Sequence, residues 1–221
     1  MTKGPEIGRL QAILFDFDGV VIQSEDVYDL ATAKLGAFYQ QQIPKSFFDA
    51  NRGIAEDLFY ERFKEAFDLE VDELELQQNG QRILWNEFSR SVNYTPGFEQ
   101  FFTKIRKLVP YVALVTATPR PLLTEIFQNS NINTKFDQIV TASEVSRNKP
   151  APDPYLQACR IFAVDPGSTL VIEDSPTGLR SATVAGCQTV GITTSCDRDS
   201  LKEANFVVDS FGELEELLTI V

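Results

Sequence analysis

Short apolar runs rich in β-branched residues recur along the second half of the chain, each followed by a segment of helical periodicity. That alternation is the signature of a parallel α/β sheet flanked by helices. Strands are expected near 12–16, 111–116, 137–141, 168–172, 188–192 and 205–208, and helices over 97–109, 119–130, 153–163, 176–186 and 211–219. The interval between the first two strands breaks the rhythm. It lacks a convincing strand and carries a helix-spaced stripe of Phe59, Phe63 and Phe67. Within it, Asp72-Glu73-Leu74-Glu75 reads as a reciprocally capped helix start. No single strand-to-helix connection needs about seventy residues, so the interval reads as an inserted helical domain whose aromatics form its core. The expected division is a core of residues 1–23 and 96–221 with an insertion over 24–95, its far junction at a hinge formed by Thr95-Pro96-Gly97.

The first strand ends in Asp16-Phe17-Asp18-Gly19. Side chains alternate along a strand, so Asp16 and Asp18 face the same way if the strand continues through them. Two adjacent carboxylates repel unless a cation or a shared proton intervenes. Gly19 lets the chain turn away without steric penalty. Histidine is absent from all 221 residues, which removes the usual general base and the serine–histidine hydrolases. Acid–base chemistry therefore falls mainly to carboxylates, with a perturbed lysine or cysteine as the lesser alternative. The net charge of −12 argues against nucleic acid or an acidic membrane surface as partner. An anionic substrate would need positive charge placed locally. Cys159, Cys187 and Cys196 have no metal-binding spacing and read as scattered reduced thiols. The N-terminal apolar run is interrupted by aspartates and makes a poor signal-peptide core. No stretch approaches membrane-spanning length, and a cytoplasmic protein is expected.

Three further segments follow Asp16-Phe17-Asp18-Gly19 in fixed order: Leu114-Val115-Thr116-Ala117-Thr118, then Asn148-Lys149-Pro150-Ala151-Pro152-Asp153-Pro154, then Val171-Ile172-Glu173-Asp174-Ser175-Pro176-Thr177-Gly178. Together they resemble the four motifs of the haloacid dehalogenase superfamily, in the branch with a helical cap inserted after the first motif. The resemblance implies a Rossmann-like parallel sheet of order 3-2-1-4-5, with ligands bound beyond the carboxyl ends of its strands. It implies Asp16 as nucleophile, forming an aspartyl-phosphate, and Asp18 as general acid and then base. It implies Thr116, Ala117 and Lys149 as phosphate-binding residues. Asp16, Asp174, Asp18 through its backbone carbonyl, and Glu173 become the ligands or near neighbours of Mg2+, an ion suited to oxygen-only ligation.

Thr118 is expected to cap a helix with Pro119 at its first position, and Ser175-Pro176 to repeat that pattern. Gly178 and the later Ala185-Gly186 are expected to be close-packing positions around the helix after the fourth motif. Asp18 stands where the dehalogenating and phosphonate-cleaving branches lack an acid, which favours a phosphatase acting on a small phosphorylated metabolite. A β-phosphoglucomutase-type mutase carries a histidine where this chain has Tyr28, which disfavours that alternative. A third alternative is a binding or regulatory module that kept the site without turnover. Arg52 and Gly53, with Tyr28, are the candidates for substrate selection in the cap. Oligomeric state and the particular substrate are not written in these residues.

Overall fold

The computed structural model describes residues 4–218 except 52, 53, 55, 89, 91 and 129–131. The chain divides into two compact units, one of Met1–Gln23 with Asn93–Val221 and one of Ser24–Val92. In chain order, β1 (Ala12–Phe15) leads into the smaller unit, with α1 (Glu25–Phe38), α2 (Lys45–Asn51), α3 (Glu56–Ala66) and α4 (Glu73–Phe88). The larger unit resumes with α5 (Phe98–Ile105), β2 (Tyr111–Val115), α6 (Arg120–Gln128), β3 (Gln138–Val140) and α7 (Asp153–Phe162). It ends with β4 (Thr169–Glu173), α8 (Pro176–Ala185), β5 (Gln188–Ile192), β6 (Phe206–Val208) and α9 (Phe211–Leu217).

Among the described residues the sheet has six strands in the order β3-β2-β1-β4-β5-β6. Every neighbouring pair is parallel. Strand β1 lies between β2 and β4, with Phe15 in register with Leu114 on one side and Ile172 on the other. This is the point where strand order reverses, and the strands there open toward one edge. All four residues of β1 are buried, as expected for a strand covered on both faces.

Alternation sorts those residues. Ala12 and Leu14 join Ala113, Val115, Val171, Tyr155 and Ala158 in one apolar cluster beneath α7 and α8. Phe15 points to the other face, where its ring packs against Phe98, Phe101, Phe102 and Phe136 at 5.7–6.2 Å between centroids. Truncating a ring so enclosed costs about 3–5 kcal/mol. The same alternation sends Glu173 to the Val171 side, toward α7.

The cysteines are less scattered than their spacing suggests. Cys159 on α7 and Cys187 beyond α8 are free thiols buried together in that first cluster, and Cys159 Sγ donates to Thr169 Oγ1 at 3.7 Å.

In the smaller unit Phe63 is fully buried with Leu35, Phe47, Tyr60 and Leu76, and Phe59 and Phe67 pack against them. The buried Glu87 of α4 pairs with Lys34 of α1 at 2.6 Å. Asp72 accepts from the N–H groups of Leu74 and Glu75, satisfying the start of α4.

The larger unit begins again three residues before the expected junction. Gln23 N–H donates to Asn93 O and Thr95 N–H to Val21 O, and the Thr95 hydroxyl donates to Gly19 O at 3.3 Å. Thr95 thus belongs to the larger unit. Gly186, expected as a packing position, instead ends α8 in the left-handed conformation at φ 86°.

Candidate active site

Asp16 stands one residue past β1, its N–H still donating to Ile172 O at 3.1 Å. Glu173 is the last residue of β4 and Asp174 the next. These neighbouring strand ends bring Asp16, Glu173 and Asp174 together, with one carboxylate oxygen of each within 4.8 Å of the others. All three are buried.

Lys149 reaches into the cluster from the loop before α7, its side chain 6 % exposed. Its ammonium donates to Asp16 Oδ1 at 2.6 Å, Glu173 Oε1 at 2.7 Å and Val115 O at 2.9 Å. Its three protons are matched by three acceptors.

One ammonium does not balance three buried carboxylates. Burial and the nearby Glu173 push the Asp16 carboxyl up to about 7, against the opposing pull of Lys149. Burial, with Asp16 and Glu173, holds Asp174 well above the usual carboxylate range, opposed by a hydrogen bond from Ser195. Burial disfavours the charge on Lys149, but Asp16 and Glu173 outweigh it and keep the ammonium above its ordinary value. An all-oxygen donor set with surplus negative charge fits a hard divalent cation.

Glycines enforce this packing. Gly19 has φ 72°, and a Cβ there would fall on Asp174 Oδ2 and Ser195 Oγ. A Cβ at Gly178 would fall on the Glu173 carboxylate.

The second aspartate behaves differently from the first. The chain turns after Asp16, with Val21 and Ile22 N–H donating back to Phe17 O. The Asp18 carboxylate takes no part in the three-carboxylate cluster. It accepts at Oδ2 from the Thr118 hydroxyl at 2.9 Å. The expectation that Thr118 caps a helix is therefore corrected. Helix α6 begins at Arg120, whose N–H donates to Ser143 Oγ at 3.1 Å, so the Thr118 hydroxyl serves Asp18 instead. Thr116 is buried past the end of β2 and accepts the Thr118 N–H at 2.9 Å; Ala117 beside it is exposed. Ser175 does cap α8, accepting from Gly178 N–H at 3.0 Å with Pro176 at the first position.

Sequence reasoning passed over Thr118's bond to Asp18, Ser195's bond to Asp174, and Tyr155, whose hydroxyl donates to Glu173 at 2.7 Å. Tyr155 did carry a signal, sitting two residues past Asp153 in the lysine-bearing motif. Arg52 and Gly53 lie outside the described residues. Tyr28 belongs to the smaller unit, where its ring meets Phe88 edge-on at 5.5 Å.

The family model for haloacid dehalogenase-like hydrolases matches residues 13–192. The chain belongs to that family. It is 29% identical over 205 residues to validoxylamine A 7'-phosphate phosphatase of Streptomyces hygroscopicus subsp. limoneus, covering 91% of this chain and 94% of that one. It is 26% identical to the phosphorylated carbohydrates phosphatase of Thermotoga maritima, covering 96% of this chain and 98% of that one. Its fold matches the crystal structure of β-phosphoglucomutase from Clostridium difficile with a TM-score of 0.73, at 23% identity over 95% of this chain and 97% of that one. The chain is thus a hydrolase of this family, and curated proteins that match it over nearly their whole length are phosphatases. Among the described residues, no helix is long and apolar enough to cross a membrane.

Proposed function

We propose that this hydrolase is a Mg2+-dependent phosphatase of small phosphate monoesters, working through an aspartyl-phosphate on Asp16. The observation that carries the reading is the pairing of Asp16 with Lys149 at 2.6 Å beside Asp174 and Glu173. Lys149 aims the Asp16 carboxylate and opposes the upward push of burial on it, and a divalent cation held beside it would favour the anion that a nucleophile requires. When a phosphate ester enters, Asp16 attacks phosphorus while Lys149 and Thr116, with the adjoining Ala117 backbone, neutralise the phosphoryl oxygens. Asp18, oriented by Thr118, protonates the departing alkoxide and then takes a proton from the water that releases phosphate from Asp16. Asp16, Asp174 and the Asp18 carbonyl are the groups that would hold Mg2+, with Glu173 alongside. The ion would supply charge neutralisation at the transferring phosphoryl group.

The phosphatases it is similar to, of validoxylamine A 7'-phosphate and of phosphorylated carbohydrates, favour a phosphorylated sugar or sugar-like compound as the substrate class. Phosphate release from p-nitrophenyl phosphate and a panel of sugar and polyol phosphates tests the reading. Activity should require Mg2+, vanish with chelator, and vanish in Asp16→Asn. An inert wild type across that panel sinks it. The likeness to a β-phosphoglucomutase concerns the fold. Interconversion of hexose phosphates without phosphate release would instead mark a mutase despite Tyr28.

A further inference from the structure

Tyr155 lies in the first turn of α7, fully buried, where an apolar residue would serve packing equally well. Its hydroxyl donates to Glu173 Oε1 at 2.7 Å. That same oxygen accepts from Lys149 Nζ, also at 2.7 Å. The lysine nitrogen sits 5.0 Å from the centroid of the Tyr155 ring, within cation–π range. The other oxygen, Oε2, accepts from the Ser175 hydroxyl at 3.0 Å and from Ser175 N–H at 3.4 Å. Gly178 leaves room for the Glu173 carboxylate, which a Cβ would overlap. Both oxygens of Glu173 are thus occupied by donors from three separate segments.

We propose that Tyr155 is a positioning residue for Lys149, acting both through Glu173 and directly through its ring. The proposal rests on the phosphatase reading above for the role of Lys149. The lysine is shared between Glu173 and Asp16. A shared Oε1 that also accepts the tyrosine proton draws less on the ammonium, which leaves Lys149 on Asp16, where the phosphoryl oxygens arrive. Removing the hydroxyl leaves Glu173 Oε1 with the lysine alone. The ammonium is then pulled toward Glu173 and away from the reacting group. The ring meanwhile closes the side of the ammonium that faces α7, so that Lys149 has no second resting place in the core. On this account Glu173 is an anchor for the lysine more than a cation ligand.

Tyr155→Phe keeps the ring and the volume and deletes only the hydroxyl. At fixed pH, kcat on p-nitrophenyl phosphate should fall about tenfold or more, the scale of a hydrogen bond to a charged group, while KM rises only a few-fold. Tyr155→Leu, which removes the ring as well, should fall further. Inorganic phosphate titrated into the Mg2+-loaded protein by calorimetry reads the same lysine without turnover, and Tyr155→Phe should bind it several-fold more weakly. Wild-type kcat and wild-type phosphate affinity in Tyr155→Phe would overturn the proposal. So would a loss of rate matched by an equal loss of folded protein in thermal melts, since that is a packing effect. A wild type that binds phosphate yet releases none from any ester would sink the phosphatase reading, and the calorimetry would then decide Tyr155 by itself.

Discussion

Asp16 and Asp18 are two residues apart and chemically identical, yet the fold gives them different surroundings. Asp16 is buried against Lys149, Glu173 and Asp174, whereas the half-buried Asp18 accepts a hydroxyl proton from Thr118. Divergent environments are how two like groups come to take distinct roles in acid–base chemistry. If Asp18 is the proton donor to the leaving group, Thr118→Val should slow hydrolysis most where the leaving group is poor. We expect about a tenfold loss of kcat on alkyl phosphates, a much smaller loss on p-nitrophenyl phosphate, and recovery in Thr118→Ser. Equal losses on both substrates would mean that the hydroxyl does not act through Asp18.

At the scale of elements, most boundaries follow from local chemistry and a few from distant partners. Ser175 caps α8 from within its own segment. Ser210 accepts from Glu213 N–H at the start of α9, and the Glu213 carboxylate accepts from Asp209 N–H one residue before that cap. The start of α6 depends on the 3-10 turn Ala142–Glu144, two dozen residues away in sequence. There Glu144 accepts from both the N–H and the hydroxyl of Thr141 at 2.6 Å and from Arg120 Nε at 2.9 Å. Partial burial works against the Glu144 carboxylate, but the bonds from Arg120 and Thr141 outweigh it and hold its pKa below the ordinary 4.5. A lowered folded-state pKa stabilises the fold above the unfolded value, and that contribution is lost as pH falls through the lowered one. Glu144→Gln should therefore lower Tm at neutral pH, with the gap to wild type closing as pH falls below the ordinary 4.5. Thermal melts across that range check it; a gap independent of pH contradicts the assignment.

At the scale of the whole molecule, the helical insertion leaves the sheet between Gln23 and Asn93, which are hydrogen bonded to each other at 2.9 Å. A chain that departs and returns at one point leaves the sheet ladder intact on either side. Replacing residues 24–92 by a short Gly-Ser linker should give a core that melts cooperatively and retains strand and helix signals in circular dichroism. A core that fails to melt cooperatively would show that the sheet depends on the insertion. The aromatic cluster around Phe15 and the apolar cluster beneath α7 and α8 both lie within the larger unit, which is why independent stability is expected.

The alternation of apolar runs with helical periods was enough to specify a parallel α/β sheet and a helical insertion, because those patterns are local and repeat. Asp16, Glu173 and Asp174 were legible as well, since charged residues at strand exits have few structural uses, whereas Lys149 was singled out by the resemblance of its motif. What the tertiary structure decided was the partnership of side chains far apart in the chain. Thr118 reads locally as a helix cap, and Tyr155 lies within the expected 153–163 helix with no role of its own. They touch Asp18 and Glu173 because β1 lies between β2 and β4, a consequence of strand order that no neighbouring residue encodes. Burial did the rest: the same three carboxylates and one ammonium interact weakly in water, and strongly where solvent is excluded.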